Sequence, residues 1–153
     1  MNDISQYPIE VATLADLNRM RELEKLCFDR DAWPLIELLA ALSLPGLVRL
    51  KVDIEGRMAG FIGGDPHRLE GIGWITTVGV RPEYRGMGLG TRLIQACERE
   101  MGMPKMRLSV RRLNMSAQRL YAGLGYQHVG VWDGYYDDGE DALIMEKVIT
   151  SVS

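Results

Sequence analysis

Val78-Gly79-Val80-Arg81-Pro82-Glu83-Tyr84-Arg85-Gly86-Met87-Gly88-Leu89-Gly90-Thr91 is the stretch whose reading decides the fold. It reads as the end of a strand, a tight turn and the first turn of an amphipathic helix. The strand, from Gly73, stops at Pro82, which has no N–H to give a ladder. Beyond Gly88 the apolar residues Leu89, Leu93, Ile94, Cys97 and Met101 fall near one helical stripe. Gly86, Gly88 and Gly90 remove side chains where the backbone turns, so the amides there can approach a ligand closely. The first helical N–H groups lack intrahelical acceptors, and the helix start carries roughly half a positive charge. Arg85 adds a fixed charge beside them, and together these features favour a phosphate or pyrophosphate. The spacing is neither G-x-G-x-x-G nor a nucleotide P-loop with its Lys-Ser/Thr pair. Taken as a bare turn, it serves equally well as a structural element.

Outward from this segment the chain reads as one continuous string of alternating elements. Upstream come a short strand at Ile9 to Thr13, a helix from Ala15 to Cys27, and a second helix after Trp33-Pro34 that ends at Pro45-Gly46. Strands at Leu47 to Asp53 and Met58 to Gly64 flank Glu55-Gly56, a two-strand hairpin signal. Downstream, Met106 to Val110 is a strand, and Asn114 is placed to cap the helix carrying Ala117, Leu120, Tyr121 and Leu124. Tyr126 to Trp132 and Ala142 to Val148 form a last pair of strands. The order β-α-α-β-β-β-α-β-α-β-β predicts an α+β fold. Its central sheet is mixed, mostly antiparallel and of about seven strands, with helices on both faces.

The 153 residues are about one domain's worth, so residues 1–153 are expected to form a single domain. With 46% hydrophobic and 25% charged residues the composition is that of a globular protein. The longest apolar run, Leu38 to Leu42, is far short of the ~20 residues of a membrane span. Eighteen basic against 21 acidic side chains give a net charge of −3 without a basic face, which disfavours nucleic acid as partner. Cys27 and Cys97 read as free thiols of a reducing compartment, and the N-terminus lacks a basic-then-apolar leader, so the expected address is the cytoplasm. No Cys/His cluster has metal-ligand spacing, so no metal is expected.

The arrangement Arg85-x-x-Gly88-x-Gly90, preceded by Val80-x-Pro82-x-Tyr84 and followed by an apolar helix, resembles the coenzyme A-binding motif of the GNAT superfamily of N-acetyltransferases. Asn114-x-x-Ala117-x-x-Leu120-Tyr121-x-x-x-Gly125-Tyr126 is similar to the second conserved block of that family. Gly134-Tyr135-Tyr136-x-x-Gly139-Glu140-Asp141-Ala142-x-Ile144-Met145 resembles the C-terminal segment of bacterial ribosomal-protein-alanine N-acetyltransferases. The segment from Cys27-Phe28 to Trp33-Pro34 is similar to the same group's loop between the first two helices.

The resemblance implies acetyl-CoA as cosubstrate, attacked directly by a primary amine in a ternary complex. Amides from Arg85 through Gly86, Met87, Gly88 and Gly90 to Thr91 would hold the pyrophosphate. Backbone groups of Val78 and Val80 would pair with the pantetheine arm like an added strand, and Asn114 would hydrogen-bond it. The strands carrying Val80 and Val110 would splay to admit the thioester. Tyr121 is the implied proton donor to the leaving thiolate, although helical spacing alone makes it a core tyrosine. Tyr135 and Tyr136 would bracket the acceptor, with Asp31 and Trp33 as the opposite wall; plain packing and turn roles compete for all four. Asp137, Asp138, Glu140 and Asp141 would suit an amine or basic acceptor. Arg111 and Arg112 are equally readable as contacts to the 3′-phosphate or as exposed loop residues. Trp74 and Trp132 read as strand packing, His67 as a solvated turn residue and His128 as structural.

One departure matters. Ribosomal-protein-alanine acetyltransferases carry a glutamate base on the fifth strand, where this chain has Ser109. An α-amine near pKa ~7.7–8.0 is roughly a tenth to a fifth neutral at pH 7, whereas a lysine near ~10.4 is neutral only about 0.04% of the time. A site without a carboxylate base is thus far less handicapped with an N-terminal amine. The expected acceptor is a protein N-terminus, with a small amine (polyamine or antibiotic) or a non-catalytic coenzyme A-sensing module as alternatives, in a monomer or homodimer.

Overall fold

Glu55 and Gly56 both take positive φ, 53° and 79°, the backbone that lets a two-residue turn match the twist of its strands. In the computed structural model, which describes residues 3–28 and 34–149, this turn joins β2 (Val48–Ile54) to β3 (Arg57–His67), with Ile54 opposite Arg57. Residues from Met58 to Gly64 are buried on both faces of β3, as a central strand requires. β3 also pairs antiparallel with β4 (Ile72–Val80), and its register shifts at Gly63/Gly64 so that Thr76 has no opposite number.

The remaining strands are β1 (Glu10–Val11), β5 (Lys105–Arg111), β6 (Gln127–Trp132) and β7 (Ala142–Val148). They complete a seven-stranded sheet in the order β1-β2-β3-β4-β5-β7-β6. Every neighbouring pair is antiparallel except β4 with β5. The helices are α1 (Leu17–Phe28), α2 (Leu35–Ser43), α3 (Leu89–Met101) and α4 (Met115–Gly123). This is the mixed α+β order expected from the sequence.

Two adjacent residues of β3 divide the core. Phe61 packs with Met20 and Leu23 of α1 and Leu38 and Leu42 of α2. Ile62 points the other way, into Leu89, Leu93, Ile94 and Cys97 of α3 and Tyr121 of α4. Strand alternation thus buries one helix layer on each face. α3 sits close because β3 carries Gly60, where a Cβ would lie 2.8 Å from a Leu93 methyl.

The boundaries differ from the sequence expectation in two informative places. Thr13 ends the first strand early by capping a 3₁₀ turn at Leu14–Asp16. Its side chain accepts from the Ala15 amide, while Asp16 accepts from the Thr13 amide, a reciprocal capping box. Tyr126, expected to open a strand, is a core residue instead. Its hydroxyl donates to Glu98 at 2.8 Å, and β6 starts one residue later.

The thiols are free, and they lie on opposite faces of the sheet. Cys97 is beneath Gly64 on the α3 side, where burial pushes its thiol up to about 12, whereas Cys27 lies over Gly79 on the α1 side. Among the described residues no helix is long and apolar enough to cross a membrane.

Candidate active site

β4 and β5 run together for only three residues, with Ile72, Gly73 and Trp74 opposite Lys105, Met106 and Arg107. Past Trp74 each strand keeps its outer partner, β4 pairing with β3 to Val80 and β5 with β7 to Arg111. The sheet therefore opens into a wedge. The Arg81 amide donates to Ala59 at 2.8 Å. Alternation along the strand then turns the backbone groups of Val80 and Val78 towards the wedge. Such an unpaired edge inside a sheet needs a partner.

The turn follows at the mouth of the wedge. Pro82–Tyr84 forms a 3₁₀ turn, and α3 begins after Gly88. Gly86 and Gly88 have φ of 79° and 83°, and a Cβ on either would meet nothing within 4 Å. These two glycines thus combine left-handed backbone with open space, whereas a Cβ on Gly90 would make ordinary contact with Leu120 and Val80. The amides of Leu89, Gly90 and Thr91 belong to the first turn and have no intrahelical acceptors. Met87 is exposed and Thr91 half-buried.

Two groups hold the turn against the sheet. The Arg85 Nε donates to the Val80 carbonyl at 3.0 Å, and the Cys27 thiol donates to the same oxygen at 3.3 Å. The Val80 carbonyl is therefore already engaged, which leaves its N–H for a ligand. Burial pushes the Cys27 thiol upward despite nearby Arg85. Arg81 is buried, with Nη1 donating to Glu22 of α1 at 2.9 Å and Nε to Glu83 at 3.3 Å. It ties the turn to α1, and the Glu22 carboxylate holds its charge more firmly still. Sequence reading missed this link because Glu22 lies 59 residues away.

On the α3 side of the wedge, Tyr121 is 8% exposed and meets Tyr126 edge-on at 6.2 Å. It shares a cluster with Val110, Val78 and Val80. Burial, with Tyr136 nearby, pushes its hydroxyl up to about 12. Asn114 caps α4, its Oδ1 accepting from the Ala117 amide at 3.2 Å, which leaves its side-chain NH₂ available. Buried Gln118 donates to the carbonyls of Arg111 and Arg112 and so fixes α4 to the end of β5.

The opposite, front face of β5 carries Arg107, Ser109 and Arg111, since Met106, Leu108 and Val110 are buried behind it. Arg107 donates to Glu146 at 2.6 Å. Arg111 donates to Asp138 and Glu140, both at 3.0 Å, and lies 4.0 Å over the Tyr136 ring. Arg112 donates to Asp141 at 3.2 Å. Both arginines thus clamp the β6–β7 hairpin and pair with three of its carboxylates, Asp138, Glu140 and Asp141. Tyr135 is exposed and meets half-buried Tyr136 edge-on at 5.1 Å. Trp132 and Trp74 stack beside them. Asp31 and Trp33 lie outside the described residues. His67 bonds Asp65 at 3.2 Å, and His128 is exposed on β6. Among the described residues no cluster of three His, Cys, Asp or Glu side chains is placed to hold a metal ion.

An open strand edge leading to a glycine turn whose amides lack intrahelical acceptors suits an extended, diphosphate-bearing ligand. Residues 16–126 match the acetyltransferase (GNAT) family, and the chain belongs to that family: it is an acetyl-CoA-dependent N-acetyltransferase. It is 34% identical over 146 residues to the catalytic subunit of the N-terminal acetyltransferase A complex of Arabidopsis thaliana, covering 91% of this chain and 76% of that protein. It is 38% identical over 106 residues to a putative ribosomal protein bS18-alanine N-acetyltransferase of Bacillus subtilis, covering 63% of this chain and 65% of that one. The fold superposes on the crystal structure of the ribosomal-protein-S18-alanine N-acetyltransferase from Escherichia coli with a TM-score of 0.85, at 24% identity and 97% coverage of both chains.

Proposed function

We propose that this enzyme acetylates the α-amine of a protein N-terminus, with a ribosomal protein as the leading acceptor. The observation that carries this reading is the electrostatics around Ser109. The carboxylates flanking it on the front face, Glu146, Asp138 and Glu140, are all engaged by arginines. Such a face favours an amine that is already partly neutral near pH 7 and passes its proton to water. The likeness to an N-terminal acetyltransferase A catalytic subunit and to a putative bS18-alanine N-acetyltransferase supports the same reading.

Acetyl-CoA supplies the thioester carbonyl. The residues present fit it. Gly86 and Gly88 leave free the space that side chains would fill, and Arg85, Met87, Gly90 and Thr91 complete the diphosphate cradle. Val78 and the Val80 amide line the wedge for the pantetheine arm, and the Asn114 NH₂ faces the same task. Tyr121 donates a hydrogen bond to the departing sulfur. With its hydroxyl at about 12, full proton transfer to a thiolate near ~8.5 is uphill, so its role is to stabilise developing charge. Tyr135 and Tyr136 orient the acceptor on the front face, and Asp31 and Trp33 are proposed for the facing wall. The enzyme acts as a monomer or homodimer in the cytoplasm, which the two free thiols support, and its net charge of −3 speaks against a nucleic-acid partner.

Steady-state rates on short peptides with free and blocked N-termini, alongside polyamines and aminoglycosides, test the reading. Turnover confined to free N-termini is expected. Faster turnover of the small amines would assign the enzyme to the small-molecule class.

A further inference from the structure

Trp74, Trp132, Tyr135 and Tyr136 make one unbroken run of rings across the front of the sheet. From this run we infer that Trp74 and Trp132 form a shelf selecting a basic side chain at the third to fifth residue of the acceptor, counting the one that bears the amine as the first. The inference rests on the peptide-acceptor reading above. Trp74 is on β4 and Trp132 on β6, with β5 and β7 between them, yet the rings stack at 5.7 Å and 26°. Simple strand packing does not explain this pair, because Trp132 remains 41% exposed. The stack continues into the acceptor region, with Trp132 to Tyr135 at 5.0 Å and Tyr135 to Tyr136 at 5.1 Å.

Distance and charge set what lands there. Trp74 precedes Val78 by four residues on β4, about 13 Å at ~3.3 Å per residue, a gap that about four residues of an extended peptide cover. The tyrosine end is already occupied by a cation, Arg111 over Tyr136. The tryptophan end is flanked by acid instead. Asp65, the cross-strand partner of Trp74, holds His67 at 3.2 Å, with the His67 ring 6.4 Å from the Trp74 ring, and Asp133 follows Trp132 in the chain. Arg107 beneath is taken by Glu146. An indole face is the best aromatic acceptor of a cation, and arginine's plane stacks on it.

Calorimetry with N-acetylated hexapeptides, which cannot be turned over, reads the shelf separately from the chemistry. Arginine or alanine is walked through positions two to six, and each peptide is titrated into the full chain loaded with coenzyme A. Arginine at one position between three and five should tighten Kd about tenfold over alanine, and citrulline there should lose most of that gain. In Trp132→Ala the gap should fall below twofold, with partial recovery in Trp132→Phe; acetyl-CoA affinity reports that each variant is folded. The shelf is overturned if no blocked peptide binds, if arginine brings no gain beyond position two, or if the gain survives Trp132→Ala. Arginine-dependent binding of blocked peptides together with no acetylation of their free counterparts would instead refute the acceptor assignment and leave the shelf standing.

Discussion

The Nε of Arg85 donates to the carbonyl oxygen of Val80 at 3.0 Å, closing the glycine turn back onto the strand that leads into it. The same side chain that helps to hold the turn also puts a positive charge at the mouth of the wedge between β4 and β5. Removing it should loosen both. Arg85→Ala is expected to raise the KM for acetyl-CoA about tenfold with a smaller change in kcat. Arg85→Lys, which keeps the charge and loses the planar donor, should recover only part. Initial-rate kinetics against acetyl-CoA check this, and an unaltered KM would remove Arg85 from the cradle.

Gly88 has φ of 83° with empty space where a Cβ would stand. Gly88→Ala should therefore cost about 1–2 kcal/mol through backbone strain alone, read by urea denaturation. Acetyl-CoA affinity should fall with it, because the first-turn amides of α3 re-aim when Gly88 leaves the left-handed region. A variant of normal stability and normal affinity would show that the turn tolerates a side chain.

Tyr121 must be protonated to donate to sulfur, and its protonated form persists below its pKa. Burial pushes that value from the ordinary ~10 up to about 12. The rate should thus rise with deprotonation of the acceptor α-amine near ~8 and show no falling limb up to pH ~10. Tyr121→Phe should lower kcat by ~10–100-fold with little effect on acetyl-CoA affinity. An intact kcat, or a falling limb near pH 9 that Tyr121→Phe abolishes, contradicts the assignment.

Asp16 is buried, which by itself raises its carboxyl, yet hydrogen bonds from Lys51, the Thr13 amide and Arg19 outweigh burial and hold it below the ordinary range. A carboxyl depressed in the folded state adds stability above its unfolded value of ~3.9 and loses it as pH falls through the folded value. Asp16→Asn takes from Lys51 one of two carboxylates, each 2.7 Å away, and leaves it Asp53 alone, which should cost about 2 kcal/mol at pH 7. The gap to the parent should narrow steadily below pH ~4. Denaturation curves at pH 7 and pH 3 decide it, and a constant gap would place the loss in the capping box rather than in the charge.

The layout of the fold was legible because its signals are local. Glu55-Gly56 encodes its own turn, Pro82 stops β4, and the 89-93-94-97-101 stripe needs only one buried face. The glycine turn was legible for the same reason, since positive φ leaves a residue-type signature. What escaped depends on long-range partners. Nothing around Arg81 announces Glu22 on another helix, and nothing around Arg111 and Arg112 announces that the hairpin carboxylates will claim them. The tryptophans show the limit most clearly: period-2 alternation puts Trp74 and Trp132 on strands but cannot say that two intervening strands bring the rings together. Thr13 was misassigned because a capping box and a strand residue look alike until Asp16 closes it.

Mass spectrometry of one peptide carrying a free α-amine and an internal lysine, incubated with enzyme and acetyl-CoA at pH 7, tests the central claim most directly. The acetyl group should appear on the α-amine alone, as expected where the described carboxylates flanking Ser109 on the front face, Glu146, Asp138 and Glu140, are engaged by arginines. Acetyl-lysine formed at a comparable rate would contradict it.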